Sequence, residues 1–328
     1  MVELCPERVT VAIPAYNAAA TLDETLMSVR RQSYPELEIF VVDDGSTDAT
    51  SAIVRRHASA DARVALIATA NGGVAAARNE ALDRATGALF ATVDADDLWH
   101  PDKIAYQIES MRDRSGCVIL NYTWFAYIDA KSRILSTAEP SEEGNVVSRM
   151  CRGNLIGNGS SPIMLTRILR DVGGWDVSLR GGNEDYKTFF SLAERGNFSV
   201  VRSHMVGYRQ TRDNRSSKTQ RMLSSYDQVV DEFAPRYPEH ADQFSAGRRE
   251  LIAYLFDKAI LNRNWRAAAY LLRETLKHDK AEARAMLMNV PLVASRIVLP
   301  LTLRARLHAR RPGSPVRSHP FLANPSFG

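Results

Sequence analysis

The first 121 residues alternate short apolar runs with stretches of helical periodicity. Between the runs, apolar residues recur every three or four positions, which is typical of amphipathic helices. Strands that alternate with helices indicate a parallel βαβ sheet, so the pattern predicts an α/β fold. Polar turns follow the runs, and open sheets bind ligands at that edge, beyond the carboxyl ends of the strands. The predicted strands are Val9 to Ile13, Leu37 to Val42, Val64 to Ala68 and Leu89 to Val93.

Beyond residue 121 the pattern loosens into short strands and glycine-rich loops, and after about residue 209 it becomes helical. The order of these regions predicts an α/β half at 1–121, a second half of the same domain at 122–215, a helical extension at 216–282 and a tail at 283–328. The elements predicted beyond residue 121 are helices at Asp185 to Arg195, Arg221 to Phe233, Arg248 to Leu261 and Trp265 to Lys277, and a strand around Phe198 to Arg202.

Charge is distributed unevenly along the 328 residues, whose formal net charge is +4. Glu282 is the last acidic residue, and residues 283–328 hold seven arginines around an apolar stretch. We expect this tail to lie on an anionic membrane surface, with arginines on the headgroups. A solvated tail or one more docked helix is the alternative. Nucleic-acid binding is disfavoured, because no aromatic interleaving accompanies the charge.

The chain has the composition of an ordinary globular protein, with 45% hydrophobic and 24% charged residues. No spanning helix is predicted, because prolines and an arginine interrupt the longest apolar stretch, Met286 to Leu303. The N-terminal residues do not resemble a secretory signal, and the three cysteines share no CxxC spacing. We therefore expect a cytoplasmic protein, with the inner face of the membrane as a possible peripheral site.

Several nucleotide-binding and catalytic motifs are missing. The turn after the first predicted strand, Pro14-Ala15-Tyr16-Asn17, holds no glycine, which disfavours a nicotinamide-dependent dehydrogenase. The chain contains no GxxxxGK[ST] phosphate loop and no Gly-x-Ser-x-Gly elbow.

Two acidic clusters follow predicted strands, one at Asp43 and Asp44 and the other at Asp94, Asp96 and Asp97. Carboxylates packed this closely repel one another unless a cation or hydrogen-bond donors compensate, so a divalent metal is one interpretation. Capping of the following helix is the other, and it applies to any single aspartate here.

Four segments together resemble family 2 of the inverting glycosyltransferases, which have the GT-A fold. They are VAIPAYN, VVDDGSTD, NGGVAAARNEAL and TVDADDLWHPDKI, in the order and spacing of the family, and the resemblance covers residues 8 to about 210. It implies a doubly wound mixed sheet flanked by helices, with the helical extension following it.

The resemblance also assigns roles to residues. It places a Mn²⁺ or Mg²⁺ ion on Asp96 of the DxD segment, where the ion would stabilise charge on the leaving diphosphate. For Arg78 the alternative is a surface helix residue that pairs with a nearby acid. The residues implied to bind the nucleotide-sugar are Pro14, Ala15, Tyr16, Asn17, Asp44, Gly72, Arg78, Asn79, Asp94 and Ala95.

The family's catalytic base is the aspartate of a Glu-Asp pair that opens a helix after a glycine-rich loop. Glu184 and Asp185 match this pair, so the resemblance makes Asp185 the base and Glu184 a neighbour that contacts acceptor or donor sugar. Both acids could instead only cap the helix. Trp175 could stack on a sugar or pack in the core. Arg209 or Arg212 is expected to close over the diphosphate.

These features predict an inverting, metal-dependent glycosyltransferase that moves one sugar, which we expect to be UDP-linked, to a hydroxyl of a saccharide or lipid-linked acceptor. The setting would be synthesis of a cell-surface polysaccharide or glycoconjugate. Single transfer is favoured over polymerisation, because no QxxRW-like motif is present. A sugar nucleotidyltransferase and a non-catalytic sugar- or lipid-binding component of a polysaccharide assembly are the alternatives.

Overall fold

A computed structural model describes residues 8–112, 118–210 and 219–290, except 282 and 289. Its described residues form a nine-stranded mixed sheet in the order β3-β2-β1-β4-β8-β6-β9-β5, with β7 paired to β6. The strands are β1 (Val9–Ala15), β2 (Leu37–Asp43), β3 (Val64–Ala68), β4 (Leu89–Thr92), β5 (Leu98–Trp99), β6 (Val118–Ile128), β7 (Ile134–Ala138), β8 (Ile163–Leu165) and β9 (Asn197–Arg209).

The parallel half of the sheet is confirmed. β1 pairs in parallel with both β2 and β4, and β2 pairs in parallel with β3. Every residue of β1 is buried, as expected for a central strand covered on both faces. The carboxyl ends of β1, β2 and β4 therefore meet at one edge, where the predicted polar turns lie.

The second half of the sheet is mixed. β8 lies antiparallel between β4 and β6, while β9 runs parallel to β6 and antiparallel to β5. The long strand β6 was not predicted, because its sequence VILNYTWFAYI is buried at nearly every position and lacks an alternating pattern. β9 extends well past the predicted strand, since its pairing with β6 continues to Arg209.

Helices cover both faces of the sheet. Apolar residues of α1, α2 and α4 pack on one face, and those of α3, α6 and α7 pack on the other. The helices of the sheet domain are α1 (Leu22–Arg30), α2 (Thr50–Ala60), α3 (Val74–Arg84), α4 (Lys103–Arg112), α5 (Val147–Met150), α6 (Thr166–Asp171) and α7 (Glu184–Ala193). The C-terminal helices are α8 (Thr219–Phe233), α9 (Ala241–Leu261) and α10 (Trp265–His278).

The C-terminal extension is present and packs on the sheet domain through aromatic rings. Phe190 of α7 stacks on Phe233 of α8, with ring centroids 4.0 Å apart. Tyr186 stacks on Tyr226 in the same way at 5.6 Å. The extension therefore packs directly on α7, the helix whose second residue is the predicted base Asp185. The division of the chain at 121, 215 and 282 stays a prediction.

None of the helices within the described ranges combines the length and the apolar composition that crossing a bilayer requires. The basic tail from residue 291 onward lies outside the described residues, as does Arg212.

Candidate active site

The loops that follow β1 and β2 are tied to each other. The Asn17 N–H donates to Ser46 Oγ at 2.9 Å, and Asn17 Oδ1 accepts from the Thr47 N–H at 2.9 Å. Asn17 adopts a left-handed backbone with φ of 49°, which asparagine tolerates better than most residues. Tyr16 beside it is 55% exposed, so its ring is available to a planar ligand. The buried residues of this segment are Pro14 and Ala15.

Asp44 holds the turn that follows β3. Its carboxylate accepts the N–H groups of Gly72 at 2.7 Å and Gly73 at 2.8 Å, and the residue is 4% exposed. A Cβ added at Gly72 would lie 2.9 Å from the Cβ of Ala76, so this position excludes a larger side chain. Each carboxylate oxygen has two lone pairs, so Asp44 keeps acceptor capacity beyond these two bonds.

The acidic segment after β4 is fixed by hydroxyl groups and buried amides. The Asp94 N–H donates to Ser160 Oγ at 3.0 Å, and the Ala95 carbonyl accepts from the hydroxyls of Thr21 and Thr25. The spacing of Thr21 and Glu24 in the sequence predicts a capping box at the start of α1. Thr21 does precede α1, but it makes no side-chain cap, because its hydroxyl bonds to the Ala95 carbonyl instead.

The three acids of this segment differ in burial. Asp97 is fully buried and accepts from Ser160 Oγ and from the Arg209 N–H. Burial, with the Asp96 and Asp94 carboxylates nearby, raises the pKa of Asp97 well above its usual range. Asp94 and Asp96 are only partly buried. The segment therefore offers Asp94 and Asp96 to a ligand, while Asp97 serves the fold.

The carboxylates of Asp94 and Asp96 fit a magnesium or manganese ion whose remaining ligands come from the substrate and water. Such ions are commonly held by one or two carboxylates plus phosphate oxygens and water, rather than by a cage of protein ligands. The described residues contain no cluster of three or more histidine, cysteine or acidic side chains arranged for a metal. Asp96, a partly buried carboxylate of the acidic segment, is the side chain suited to such an ion.

Arg78 connects the acidic segment to the start of α7. Its guanidinium donates to Asp94 Oδ1 at 2.9 Å and to Asp185 Oδ1 at 2.6 Å, and it lies 3.6 Å from Glu184 Oε1. Arg78 is fully buried, so the surface position expected in the alternative is wrong, although Arg78 does pair with acids as that alternative expected. A single buried cation is thus shared by three carboxylates that lie 16 to 107 positions away in the sequence.

Asp185 is held in a defined orientation. Its Oδ1 atom accepts from Arg78 and from the Trp175 indole N–H at 2.9 Å. Burial raises the pKa of Asp185 to about 6, and the Glu184 and Asp94 carboxylates act in the same direction, although Arg78 and Trp175 oppose it. A carboxyl group with that pKa is ionised for most of the time at neutral pH, as a general base requires.

Trp175 and Asn79 support Asp185 from behind. Trp175 is 1% exposed, so of its two predicted roles the structure displays core packing, not an open face for a sugar. Asn79 bonds the Trp175 backbone twice, accepting from its N–H at 2.9 Å and donating to its carbonyl at 2.7 Å. Trp175 therefore orients Asp185, and Asn79 holds the backbone of Trp175 in place. Glu184 is 3% exposed and lies against Arg78.

The loop before α7 is docked on α8. Asn183, in a left-handed backbone with φ of 67°, donates from Nδ2 to the Met222 carbonyl at 2.9 Å. A Cβ added at Gly181 would lie 2.3 Å from the Arg221 carbonyl oxygen and 2.4 Å from Ser225 Oγ. These contacts with α8 therefore fix the position of the first turn of α7, which contains Asp185.

Arg209 was expected to close over the diphosphate, but its side chain is buried and does not lie open over the site. It is 2% exposed, and its guanidinium donates to the Asp96 carbonyl at 2.7 Å and to Glu24 at 2.8 Å. It also donates to the Asp129 carbonyl at 3.0 Å. Arg209 therefore fixes the backbone of the acidic segment from below.

Two residues that the sequence did not single out border the site. Gly159 leaves room beside Asp185, because a Cβ at this position would lie 2.8 Å from Asp185 Oδ2 and 2.5 Å from Arg78 Nη2. Ser160 bonds both Asp94 and Asp97. The only signal for them was the glycine- and serine-rich stretch GNGSSP, which marks a loop but not its position.

Comparison with known proteins shows similarity to glycosyltransferases. The sequence profile described as Glycosyl transferase family 2 matches residues 10–157. An uncharacterized glycosyltransferase of Haemophilus influenzae is 31% identical over 202 residues, which are 60% of this chain and 76% of that protein. The putative teichuronic acid biosynthesis glycosyltransferase TuaG of Bacillus subtilis is 43% identical over 108 residues, 33% of this chain and 43% of that protein. The chain thus spans well under two thirds of TuaG.

Two solved structures share the fold. The mannosyltransferase PcManGT from Pyrobaculum calidifontis, in complex with GDP-Man and Mn²⁺, aligns over 93% of this chain and 86% of its own, with TM-score 0.57 and 22% identity. S. aureus TarS 1–349, in complex with UDP-GlcNAc, aligns over 94% and 93%, with TM-score 0.58 and 18% identity. The mixed sheet with its helical layers is a GT-A fold.

The chain belongs to glycosyltransferase family 2.

Proposed function

We propose that this protein transfers a single sugar from a nucleotide-sugar to a hydroxyl group of a saccharide or lipid-linked acceptor, with inversion at the anomeric carbon. The carrying observation is the bridge from Asp94, in the donor half, through buried Arg78 to Asp185 at the start of α7. Family membership supports sugar transfer, and the name of TuaG supports a role in cell-surface polysaccharide or glycoconjugate synthesis.

A nucleotide-sugar donor is supported by the ligands of the two structural neighbours, GDP-Man and UDP-GlcNAc. Of these we propose the uridine nucleotide. Tyr16 would stack on the base, and Asn17, Asp44 and Gly72 would surround it at the ends of β1 and β2. Asp94 would accept from a ribose hydroxyl. Asp96 would hold a Mn²⁺ or Mg²⁺ ion, which supplies positive charge to the diphosphate as it leaves.

Asp185 acts as the base in this proposal. The acceptor oxygen attacks the anomeric carbon from the face opposite the diphosphate, and its proton passes to the Asp185 carboxylate. The bond between the anomeric carbon and the diphosphate oxygen breaks, and the nucleoside diphosphate leaves with the electron pair. Because Oδ1 is engaged by Arg78 and Trp175, we assign the proton to Oδ2, which lies beside Gly159.

The test compares donor turnover and acceptor glycosylation in the wild type, Asp185→Asn and Asp96→Ala, with and without a chelator. General-base catalysis contributes about 10²–10⁴-fold, so Asp185→Asn should lower kcat by that amount while nucleotide-sugar affinity stays within a few-fold. Asp96→Ala and chelation should each remove turnover. Asp102→Asn, at a partly exposed acid outside the cluster, is the matched control.

Each of the other results would overturn the proposed base or the proposed function. Unchanged transfer in Asp185→Asn would show that another group takes the proton. Release of pyrophosphate from a nucleoside triphosphate and a sugar phosphate would identify a nucleotidyltransferase. Nucleotide-sugar binding without transfer to any acceptor in a broad panel would identify a non-catalytic component.

A further inference from the structure

Helix α10 has two apolar faces, of which only one is covered by the residues that the structure describes. The face formed by Ala268, Leu271 and Thr275 is buried against α9. A second stripe includes Trp265 and Leu276, which lie eleven residues and therefore about three turns apart on the same side of the helix. Trp265 is 58% exposed and Leu276 47% exposed, with exposed Ala269 between them.

This exposure is unusual for such large side chains. Of the four tryptophans in the chain, Trp99 and Trp175 are buried and Trp124 is partly buried, while Trp265 presents more than half of its surface. The apolar surface continues beyond the helix. Met286 packs on Thr275 with its sulfur 3.4 Å from the hydroxyl, and the next two residues, Leu287 and Met288, are 50% and 81% exposed.

A row of basic residues runs along the same helix beside the stripe. Arg266, Arg273 and Lys277 are spaced by seven and four residues, so they share one side of α10, about 100° from the stripe. All three are exposed, and Lys277 pairs with Glu274 at 2.6 Å. An apolar stripe with tryptophan, bordered by arginine and lysine, is the pattern of helices that lie in the headgroup region of an anionic bilayer.

We propose that α10 is a lipid-contacting helix, which places Trp265 and Leu276 among the acyl chains of an anionic leaflet with Arg266 and Arg273 on the headgroups. Charge selects this occupant over two others. If a second copy of the chain bound through the same apolar stripe, the basic rows of the two copies would lie side by side at the edge of the interface and repel each other. Residues 291–328 contain six arginines and no acid, so like charge opposes their packing beside the same row.

The proposal rests on the C-terminal helices and not on the chemistry of the active site, so the two can fail separately. The test uses the full chain with vesicles of phosphatidylglycerol and phosphatidylcholine mixed equally, and with vesicles of phosphatidylcholine alone. Co-sedimentation gives the partition coefficient, and tryptophan emission with acrylamide quenching reports on Trp265. The variants are Trp265→Ser with Leu276→Ser, Arg266→Gln with Arg273→Gln, and Tyr106→Ser as a matched exposed aromatic on α4.

The wild type should bind the anionic vesicles, with emission shifted to the blue and quenching reduced. The Trp265 and Leu276 double variant should bind at least about tenfold more weakly, since two large apolar side chains would no longer be removed from water by the acyl chains. Neutralising the two arginines should weaken binding by roughly 30-fold, since each basic side chain near an anionic surface contributes about a fivefold factor. Tyr106→Ser should bind like the wild type.

Four results would overturn the proposal. Unchanged binding of the double variant would assign any membrane contact to residues 283–328. Equal binding to phosphatidylcholine alone would remove the headgroup role of the basic row. Quenching-resistant Trp265 in the free protein would mean that the chain itself covers the stripe. A concentration-dependent dimer that the double variant abolishes would identify a second copy as the occupant.

Discussion

Replacing Arg78 with methionine tests how one buried cation serves both halves of the site. Methionine keeps much of the side-chain volume but removes the charge that Asp94 and Asp185 share at 2.9 and 2.6 Å. A charge pair about 4 Å apart at an effective dielectric constant of about 20 interacts by roughly 4 kcal/mol. Because 1.36 kcal/mol corresponds to one unit of pKa, the pKa of Asp185 should rise by up to about three from its value of about 6.

The direction of the pH effect follows from the proposed role of Asp185 as the base. Asp185 must be ionised to accept a proton, so a higher pKa moves the acidic limb of the kcat profile to higher pH. We expect the limb of the wild type near pH 6 and that of Arg78→Met at about pH 8 to 9. At pH 7 the variant should be slower by about 10–100-fold, and part of the loss should return at pH 9. The assay is single-turnover transfer from pH 5.5 to 9.5.

Stability gives a second measurement of the same contact. Breaking a buried ion pair from one side costs about 3–5 kcal/mol, so Arg78→Met should unfold at markedly lower denaturant concentration. Arg84→Met on the same helix removes an exposed arginine that pairs with Glu80 and should change stability by less than about 1 kcal/mol. Arg78→Lys keeps the charge, so it should keep the limb near the position of the wild type even if Arg78→Met does not fold. An acidic limb that stays near pH 6 in Arg78→Met would refute the reasoning.

Three further predictions concern the residues around this bridge. Since the pKa of Asp185 is raised from 3.8 to about 6, ionisation of this carboxyl group opposes folding increasingly from about pH 4 to 6. Asp185→Asn should therefore stabilise the protein by up to about 3 kcal/mol at pH 7 but little at pH 4, as measured by denaturant unfolding. Equal effects at both pH values would contradict this. Tyr16→Ala should weaken nucleotide binding by about 5–100-fold in calorimetry while Tyr106→Ala, at a similarly exposed ring, leaves it unchanged; equal losses would argue against base stacking. Arg209→Met should lower the unfolding temperature and raise the Mn²⁺ concentration needed for half-maximal transfer, because the Asp96 carbonyl loses its hydrogen-bond donor. Arg133→Met, which removes a 65% exposed arginine side chain paired with Asp129, should do neither.

The sequence by itself determined the parallel half of the sheet closely. The four predicted strands match β1 to β4 to within two residues at either end, and the predicted helix at Trp265 begins at that residue. These elements carry their signal locally, as unbroken apolar runs or as helical periodicity between polar turns. The four motifs also identified the family, because they lie in that same half.

Other elements could not be derived from local pattern. β6 is decided by its pairing with β9, about 80 positions away, and not by any periodicity of its own. The capping box at Thr21 was a reasonable local prediction, but the Ala95 carbonyl from another loop takes the hydroxyl. Helix α9 begins at Ala241, seven residues before its predicted start at Arg248, and its N-terminal part packs Phe244 into the core.

The site divides in the same way. The sequence marked Asp94 and Asp96 as chemically significant because several carboxylates cluster at one strand end, and the family resemblance marked Asp185. Only the tertiary structure showed that Arg78 joins Asp94 to Asp185 and that Trp175 is buried beside Asp185. These contacts depend on desolvation and on distances between residues far apart in the chain, and neither is encoded in the spacing of a motif.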